Sequence, residues 1–285
     1  MKKRIYRHYL IYNLLLALFI CIGMQELKST AALSRLSEHT VHSEGFRMQP
    51  VSEAMLKEVE DFDEPGEVLA LYWLETDFEE ETKTFWTAEQ LLKEKEKWQR
   101  RPQWEAYTAA CQAIWDDLVY FPIPEDTGNQ DMTVTFENSW MFSRDYKGER
   151  GHEGTDIMPS VDERGLYPVV SMTDGVVTQK GWLELGGWRL GIETEKGAYF
   201  YYAHLDSYAD VEVGDTVKAG DLLGYMGDTG YSKEEGTTGN FPVHLHVGIY
   251  LYLDGEEISV NPYPALKFLE KSRISCVYEH RPSML

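Results

Sequence analysis

The stretch Val243-His244-Leu245-His246-Val247-Gly248-Ile249-Tyr250-Leu251-Tyr252 decides how the C-terminal half of this chain folds. It is rich in β-branched and aromatic residues, which is typical of a β-strand. Because alternate residues of a strand point to the same face, the imidazoles of His244 and His246 are expected to project from one side. Two neighbouring neutral imidazoles have no evident structural use, whereas a bound cation would account for both.

Similar short runs rich in Val, Tyr, Ile and Thr surround this stretch and alternate with Gly-Asp and Asp-Gly turns. They cover residues 167–171, 175–179, 188–194, 199–203 and 222–225. Such spacing predicts several short strands, and therefore an all-β domain over residues 126–270. Residues 271–285 show no pattern and are expected to form a tail.

The segment before this domain has a different period. Over residues 51–125 apolar side chains recur at helical spacing, and Thr87 precedes a charged run as a helix-capping residue would. The Phe121-Pro122-Ile123-Pro124 segment cannot continue a helix. Residues 25–50 are polar and aperiodic, which predicts a stalk. The expected fold class is therefore α+β, with a helical region that precedes an all-β domain.

The N-terminus carries the basic residues Lys2, Lys3, Arg4 and Arg7, followed by seventeen residues (8–24) that lack a formal charge apart from the titratable His8. A helix of this length only just spans a bilayer. Basic residues before a span stay in the cytoplasm, so residues 1–24 predict a transmembrane helix and a single-pass protein of the cell membrane with its β domain extracytoplasmic. A signal peptide that is cleaved before secretion, or a buried structural helix, is the alternative.

Charge and cysteine content exclude some classes of function. The formal net charge of −21 argues against nucleic acid as a partner, because a basic surface would be needed. None of the three cysteines lies in a CxxC spacing, so a thiolate metal site is not suggested. Cys111 and Cys276 are expected either to form a disulfide or to remain isolated thiols.

Three further residues extend the histidine pair into a candidate metal site. His152 and Asp156 are four residues apart around Gly154, a spacing that lets a turn wrap both side chains around one ion. His204 lies in another predicted strand. One carboxylate and two imidazoles suffice to hold Zn²⁺ with one position open, and two imidazoles then remain for proton transfer, which is the division found in metal-assisted hydrolysis.

Residues 138–269 resemble the lysostaphin-type (M23) zinc metallopeptidases of bacterial cell walls. The similarity is carried, in the family's order, by Arg150-Gly151-His152-Glu153-Gly154-Thr155-Asp156-Ile157, Tyr202-Ala203-His204-Leu205, Val213-Gly214-Asp215-Thr216-Val217-Lys218-Ala219-Gly220, Gly224-Tyr225-Met226-Gly227-Asp228-Thr229-Gly230 and His244-Leu245-His246-Val247. The resemblance implies antiparallel sheets around a groove. It also implies that His152, Asp156 and His246 ligate zinc and that His204 and His244 are catalytic.

The function implied by the resemblance is a zinc-dependent endopeptidase that uses metal-activated water to hydrolyse peptide bonds of peptidoglycan, in a cross-bridge or a stem peptide. The alternative is an envelope or sporulation scaffold that uses the same fold to bind a membrane or wall protein without hydrolysis. Two segments depart from the family's pattern, residues 240–243 and the long segment 160–168. Both are expected to flank the substrate groove and therefore to bear on which bond is cut.

Overall fold

The computed structural model describes residues 2–80, 86–146 and 148–278, and it confirms the predicted α+β class. The helices are α1 (Lys2–Leu33), α2 (Glu44–Met48), α3 (Glu53–Val59), α4 (Pro65–Thr76), α5 (Ala88–Trp98), α6 (Trp104–Trp115) and α7 (Tyr263–Leu269). A 3₁₀ turn (Thr40–His42) precedes α2. All helices except α7 precede the first strand, so the chain has a helical first part and a β-rich second part.

Helix α4 is the centre of the helical part. It begins at Pro65, a residue suited to the first turn of a helix, and every residue from Val68 to Leu74 is buried. A helix that is apolar all round has to be enclosed, and α3, α5 and α6 pack against it. Helix α5 begins with a capping box between Thr87 and Gln90, in agreement with the capping role predicted for Thr87.

The strands are β1 (Glu125–Asp126), β2 (Val134–Phe136), β3 (Ser143–Arg144), β4 (Arg150–Gly151), β5 (Thr155–Pro159), β6 (Pro168–Val170), β7 (Gly175–Leu183), β8 (Gly187–Glu193), β9 (Ala198–Tyr208), β10 (Thr216–Val217), β11 (Leu222–Met226), β12 (Leu245–Leu253), β13 (Glu256–Val260) and β14 (Ser275–Cys276). The main sheet has ten strands, with the antiparallel path β10-β7-β8-β9-β12-β5-β2. Strand β13 joins β12, while β6 and β11 pair alongside β9. This topology confirms the predicted antiparallel β domain.

The main sheet has one buried and one open face. Leu190 and Ile192 of β8 and Phe200 and Tyr202 of β9 are fully buried on its inner face. Since side chains alternate along a strand, the residues between them face the opposite side of the sheet. Helix α6 contacts β9 and β12, so the helical part closes the inner face and leaves the outer face free to form a groove.

The prediction of a transmembrane helix is wrong. Residues 2–33 form helix α1, but among the described residues no helix is both long enough and apolar enough to cross a bilayer. The uncharged run has only seventeen residues and includes the polar Tyr12 and Asn13, whereas a span takes about 20 predominantly apolar residues. The prediction that the protein is a single-pass protein of the cell membrane depends on this helix and is therefore wrong as well. The same correction applies to the membrane as a partner through this helix.

Two segments that the sequence analysis assigns to a stalk and a tail are packed in the structure. Leu36 and Phe46 are buried in the core, and α2 packs against β13. Ser275 and Cys276 form a short parallel ladder with Glu125 and Asp126. Residues 279–285 of the predicted tail lie outside the described residues. Cys111 and Cys276 are both free, so the disulfide alternative is not found.

Candidate metal centre and substrate groove

Asp156 and His246 face each other because their strands pair. Strands β5 and β12 are antiparallel, and their register places His246 directly opposite Asp156. His152 lies in the short connection between β4 and β5, where the chain turns back towards the same sheet edge. The sequence spacing that suggested a turn around one ion therefore corresponds to a loop-and-strand arrangement.

The side chains of these three residues converge on one point. His152 Nε2 lies 3.0 Å from His246 Nδ1 and 3.1 Å from Asp156 Oδ1, and Asp156 Oδ1 lies 3.1 Å from His246 Nδ1. Zn²⁺ bonds of about 2.0–2.1 Å in a tetrahedron place neighbouring ligand atoms about 3.3 Å apart. The three atoms thus form a nearly equilateral triangle of the size that a tetrahedral zinc site requires, and the donor types fit this ion.

Neighbouring groups orient two of the three side chains. His152 Nδ1 lies 3.2 Å from the Ser139 carbonyl oxygen, to which it can donate, so that Nε2 is free as a ligand atom. Arg144 donates to Asp156 Oδ2 at 2.6 Å and leaves Oδ1 directed at the two histidines. Such partners fix the tautomer and orientation of metal ligands.

The electrostatics of the cluster suit a divalent cation. Burial raises the pKa of Asp156, but its close contacts with the His152 and His246 rings and the nearby imidazoles together outweigh burial and hold the pKa well below its usual range. Burial lowers the pKa of His246 more than the Asp156 carboxylate raises it. Asp156 is therefore ionised and His246 is neutral at pH 7, which are the protonation states that metal ligation needs.

His204 and His244 lie beside this triangle, and both rings make the same kind of contact with the backbone. The Nδ1 atoms of both rings lie 2.8 Å from a backbone carbonyl oxygen, that of Thr229 for His204 and that of Pro242 for His244. Each ring can therefore donate an Nδ1 proton to the backbone, and this contact directs its Nε2 towards the site. The two ring centroids are 4.7 Å apart, and His244 Nε2 lies 3.8 Å from Asp156 Oδ1.

The backbone at His204 is strained in a way that sets its direction. Its φ is +62°, in the left-handed region that non-glycine residues rarely adopt, and the pairing of β9 with β8 shifts register here. The His204 amide donates to the Gly186 carbonyl at 2.8 Å, which helps hold this bulge. Burial, with His244 and His246 nearby, keeps the pKa of His204 well below its ordinary value.

A groove of about 1600 Å³ runs along the outer face of the sheet and contains all five residues. Its two ends differ in chemistry. Near the metal centre it is lined by Arg144, Tyr146, Arg150, Tyr231 and Phe241, and further along it by Gln179, Arg189, Glu193, Tyr199, Tyr201, Tyr250, Tyr252 and Glu257. The structure therefore brings all the predicted site residues together. It also shows the other residues that line the groove, which the sequence alone does not predict.

The register shift at His204 explains why the groove tyrosines were missed. Uninterrupted alternation would place Tyr202 on the same face as His204, but Tyr202 is fully buried and its hydroxyl accepts from the Met172 amide at 2.9 Å. Tyr202 therefore packs in the core of the β domain and does not face the groove. Tyr201 faces the groove instead, with its ring edge-on to His246 at 5.9 Å between centroids.

The two segments that depart from the family's pattern contact each other. The Val243 amide donates to Asp162 Oδ1 at 2.8 Å, and Phe241 packs against the rings of both His204 and His244. Asn240 and Phe241 thus line the groove, whereas the long segment 160–168 reaches the site through the contact of Asp162 with the Val243 amide, next to His244.

Comparisons with known proteins match both parts of the chain. The model of peptidase family M23 matches residues 150–262, and that of the LytM N-terminal domain matches residues 31–117. The crystal structure of lytM from Ruminococcus gnavus ATCC 29149, a protein with an expected glycyl-glycine endopeptidase activity, is 55% identical, with a TM-score of 0.81 over 87% of this chain and 99% of that one.

Two curated proteins match the C-terminal part. The L-Ala--D-Glu endopeptidase of Bacillus subtilis (strain 168) is 40% identical over 152 residues, which are 53% of this chain and 44% of that protein. The glycyl-glycine endopeptidase ALE-1 of Staphylococcus capitis is 32% identical over 118 residues, 41% of this chain and 29% of that protein. This chain thus spans less than half the length of the curated relatives that it matches.

Proposed function

The chain belongs to peptidase family M23, and on that premise we propose that it is a zinc endopeptidase that hydrolyses peptide bonds of bacterial peptidoglycan. Relatives named for cleavage of L-Ala–D-Glu and glycyl-glycine bonds support a peptide of the cell wall as the substrate class. The N-terminal helical part corresponds to the LytM N-terminal domain.

The observation that carries this proposal is that the five site residues form two groups, three that can ligate a metal and two histidines beside them. His152, Asp156 and His246 supply three ligand atoms within about 3 Å of one another. His204 and His244 keep their Nε2 atoms free beside this triangle and tie their Nδ1 atoms to backbone carbonyls. In our proposal the first set holds the metal and the second set moves protons.

Bound zinc would polarise the scissile carbonyl and acidify a water molecule. The proton transfers are carried out by residues of the chain. A neutral imidazole of the His204–His244 pair accepts the proton of the attacking water, and the other ring stabilises charge at the carbonyl oxygen or returns a proton to the leaving amine. Both rings are held rigidly by their backbone hydrogen bonds, so they need little reorganisation during the reaction.

The groove suits an extended peptide. It runs along the outer face of β8, β9 and β12, and tyrosine side chains form much of its floor. Tyrosines offer a large apolar surface and a hydroxyl at its edge, which is useful for binding a peptide that carries polar groups. The aromatic rings of Tyr231 and Phe241 lie beside His204 and form an apolar side of the groove there.

The proposal is tested by incubating the purified chain with peptidoglycan, with and without a chelator, and identifying the released fragments by mass spectrometry. We expect new amino termini that appear only when zinc is present. The His204→Ala variant should release none, while His39→Ala, a substitution of an exposed histidine outside the groove, should act like the wild type. A zinc-loaded chain that releases nothing would overturn the proposal and favour a scaffold.

A further inference from the structure

Arg189, on strand β8, lies in the floor of the groove. Its neighbours Leu190 and Ile192 are buried on the inner face of the sheet, so Arg189 and Gly191 face the groove. Gly191 and Gly186 leave room for tyrosine rings: a Cβ atom at either position would lie 2.0 Å from the hydroxyl oxygen of Tyr199 or Tyr201, respectively. The Tyr199 ring therefore lies over Gly191 of β8, and the Tyr201 hydroxyl lies beside Gly186, the residue just before this strand.

The guanidinium of Arg189 is only partly satisfied. Its Nη2 donates to Gln179 Oε1 at 3.1 Å, but its Nη1 is buried and has no hydrogen-bond partner among the described residues. No ion pair to Arg189 is formed within the described part of the chain. Arg144 and Arg150 also line the groove, and one terminal nitrogen of each donates, to Asp156 and to the Tyr231 hydroxyl respectively. Their Nε atoms are buried and have no hydrogen-bond partner among the described residues.

Strand register fixes how far Arg189 is from the metal centre. On β9, Leu205 pairs with Trp188 and Tyr202 with Leu190, so Arg189 lies opposite the bulge between them. Ala203, which borders this bulge, pairs on its other side with His246. The backbones of Arg189 and His246 are thus two strand spacings apart, about 10 Å, which corresponds to about three residues of an extended peptide.

Ala203, on the strand between Arg189 and His246, is buried, and Tyr201 lines the groove beside it. Burial raises the pKa of Tyr201, so its hydroxyl stays protonated and can donate. Glu193 and Glu257 line the groove beyond the tyrosines. Their charges would repel an anion there, so an anionic group of a bound peptide is directed to the Arg189 end.

We propose that Arg189, assisted by the Tyr201 hydroxyl, binds a substrate carboxylate within about three residues of the scissile bond and selects an acidic stem peptide over a neutral glycine bridge. This inference rests on the proposed endopeptidase function and narrows its substrate class. Arg189 is a specificity-determining residue here and does not touch the reacting atoms.

The physical basis is the contrast between a carboxylate and its amide. A carboxylate accepts charge-assisted hydrogen bonds from a guanidinium through both of its oxygens. In the amide, an NH₂ group replaces one oxygen, and its N–H donors cannot bond to the N–H donors of the guanidinium. The amide keeps one acceptor oxygen, but it lacks the negative charge and the second acceptor oxygen, so its hydrogen bonds to the guanidinium are weaker. One charge-assisted hydrogen bond corresponds to a factor of about 10–100 in binding.

The test uses the zinc-loaded chain and two synthetic stem peptides that contain an L-Ala–γ-D-Glu bond. They are identical except that the glutamate α-carboxyl group is free in one and amidated in the other, and pentaglycine serves as the neutral bridge. We expect kcat/KM to be about 10–100 times higher for the free acid than for the amide, mainly through KM. Arg189→Met should lower kcat/KM for the acid by the same factor and change the amide by less than about twofold.

Two further variants control for folding. Arg189→Lys keeps the charge and should restore part of the preference for the acid. Arg100→Met removes an exposed arginine that lies just after α5 and should leave the rates on both substrates unchanged. Equal rates for acid and amide in the wild type, or an equal loss on both substrates in Arg189→Met with its zinc content intact, would overturn the inference.

The substrate panel also separates this inference from the proposed function. Cleavage of pentaglycine without cleavage of the acidic peptide would leave the endopeptidase in place and refute the role of Arg189. If the zinc-loaded wild type cleaves none of the peptides and does not act on peptidoglycan, the endopeptidase function itself fails, and the inference with it.

Discussion

Arg47, in helix α2, donates to the Glu153 carboxylate at 2.9 Å, and Glu153 directly follows the candidate ligand His152. The same guanidinium donates to the carbonyl and the hydroxyl of Ser259, at 2.9 and 2.6 Å. The Arg47 carbonyl in turn accepts from the Asn261 amide at 2.7 Å. The helical part is therefore tied to the β domain beside the metal centre.

Arg47→Met should lower the free energy of unfolding by about 1–3 kcal/mol, because the buried Ser259 loses charge-assisted hydrogen bonds. Glu153→Gln should cost less than about 1 kcal/mol, since the Glu153 side chain is 47% exposed and its ion pair is screened by water. Urea unfolding of the two variants measures both values. Equal costs for the two would contradict the view that Ser259, rather than Glu153, is the main anchor of Arg47.

Gly154→Ala should weaken zinc binding by at least about tenfold, comparable to the loss of a group that supports a ligand. A Cβ atom at Gly154 would lie 2.3 Å from Cε1 and 2.5 Å from Nε2 of His246, so that ring must move. Gly255→Ala is the control, because its Cβ has open space and only backbone strain is added. Competition with a chromophoric chelator gives the affinities. Wild-type affinity in Gly154→Ala would contradict the placement of His246.

Asp162→Ala should lower kcat by about tenfold and leave zinc content unchanged, because small displacements of a reacting group are costly. It removes the acceptor of the Val243 amide, which precedes His244. Asp162→Asn keeps an acceptor oxygen and should remain close to the wild type. Loss of zinc from Asp162→Ala would show that this contact supports the ligands and not His244.

His204→Ala should reduce kcat by a factor of about 10²–10⁴, the usual range for loss of a positioned proton-transfer group. Its zinc content should stay near that of the wild type, because the three ligand atoms lie outside this side chain. His246→Ala should lose both zinc and activity. Metal analysis of the two purified variants separates the roles, and a zinc-free His204→Ala would mean that this histidine is a ligand.

The sequence was sufficient to predict the α+β class and the facing of His244 and His246, because period-2 and helical patterns are local properties. The grouping of His152 and Asp156 with His246 needed the family resemblance as well, since pairing of β5 with β12 joins residues that are 90 apart. The roles of these residues remain a prediction that the variants above test.

Other features could not be predicted, for physical reasons. The bulge at His204 depends on pairing with β8, and it reverses the alternation along β9, so that Tyr201 and not Tyr202 faces the same side as His204. Arg189 carries no local signal, because its role depends on its distance across the sheet from His246. The transmembrane prediction was wrong because the length of a charge-free run does not by itself predict a membrane span. Polar residues such as Asn13 interrupt this run.

The most direct test of the central claim is a zinc titration of the metal-free chain in which bound metal and hydrolysis of peptidoglycan are measured in the same sample. Our account predicts no hydrolysis without zinc, and a rate that rises in proportion to bound zinc until one ion is bound per chain. Hydrolysis by the metal-free chain, or none with one zinc bound at the His152–Asp156–His246 site, would contradict it.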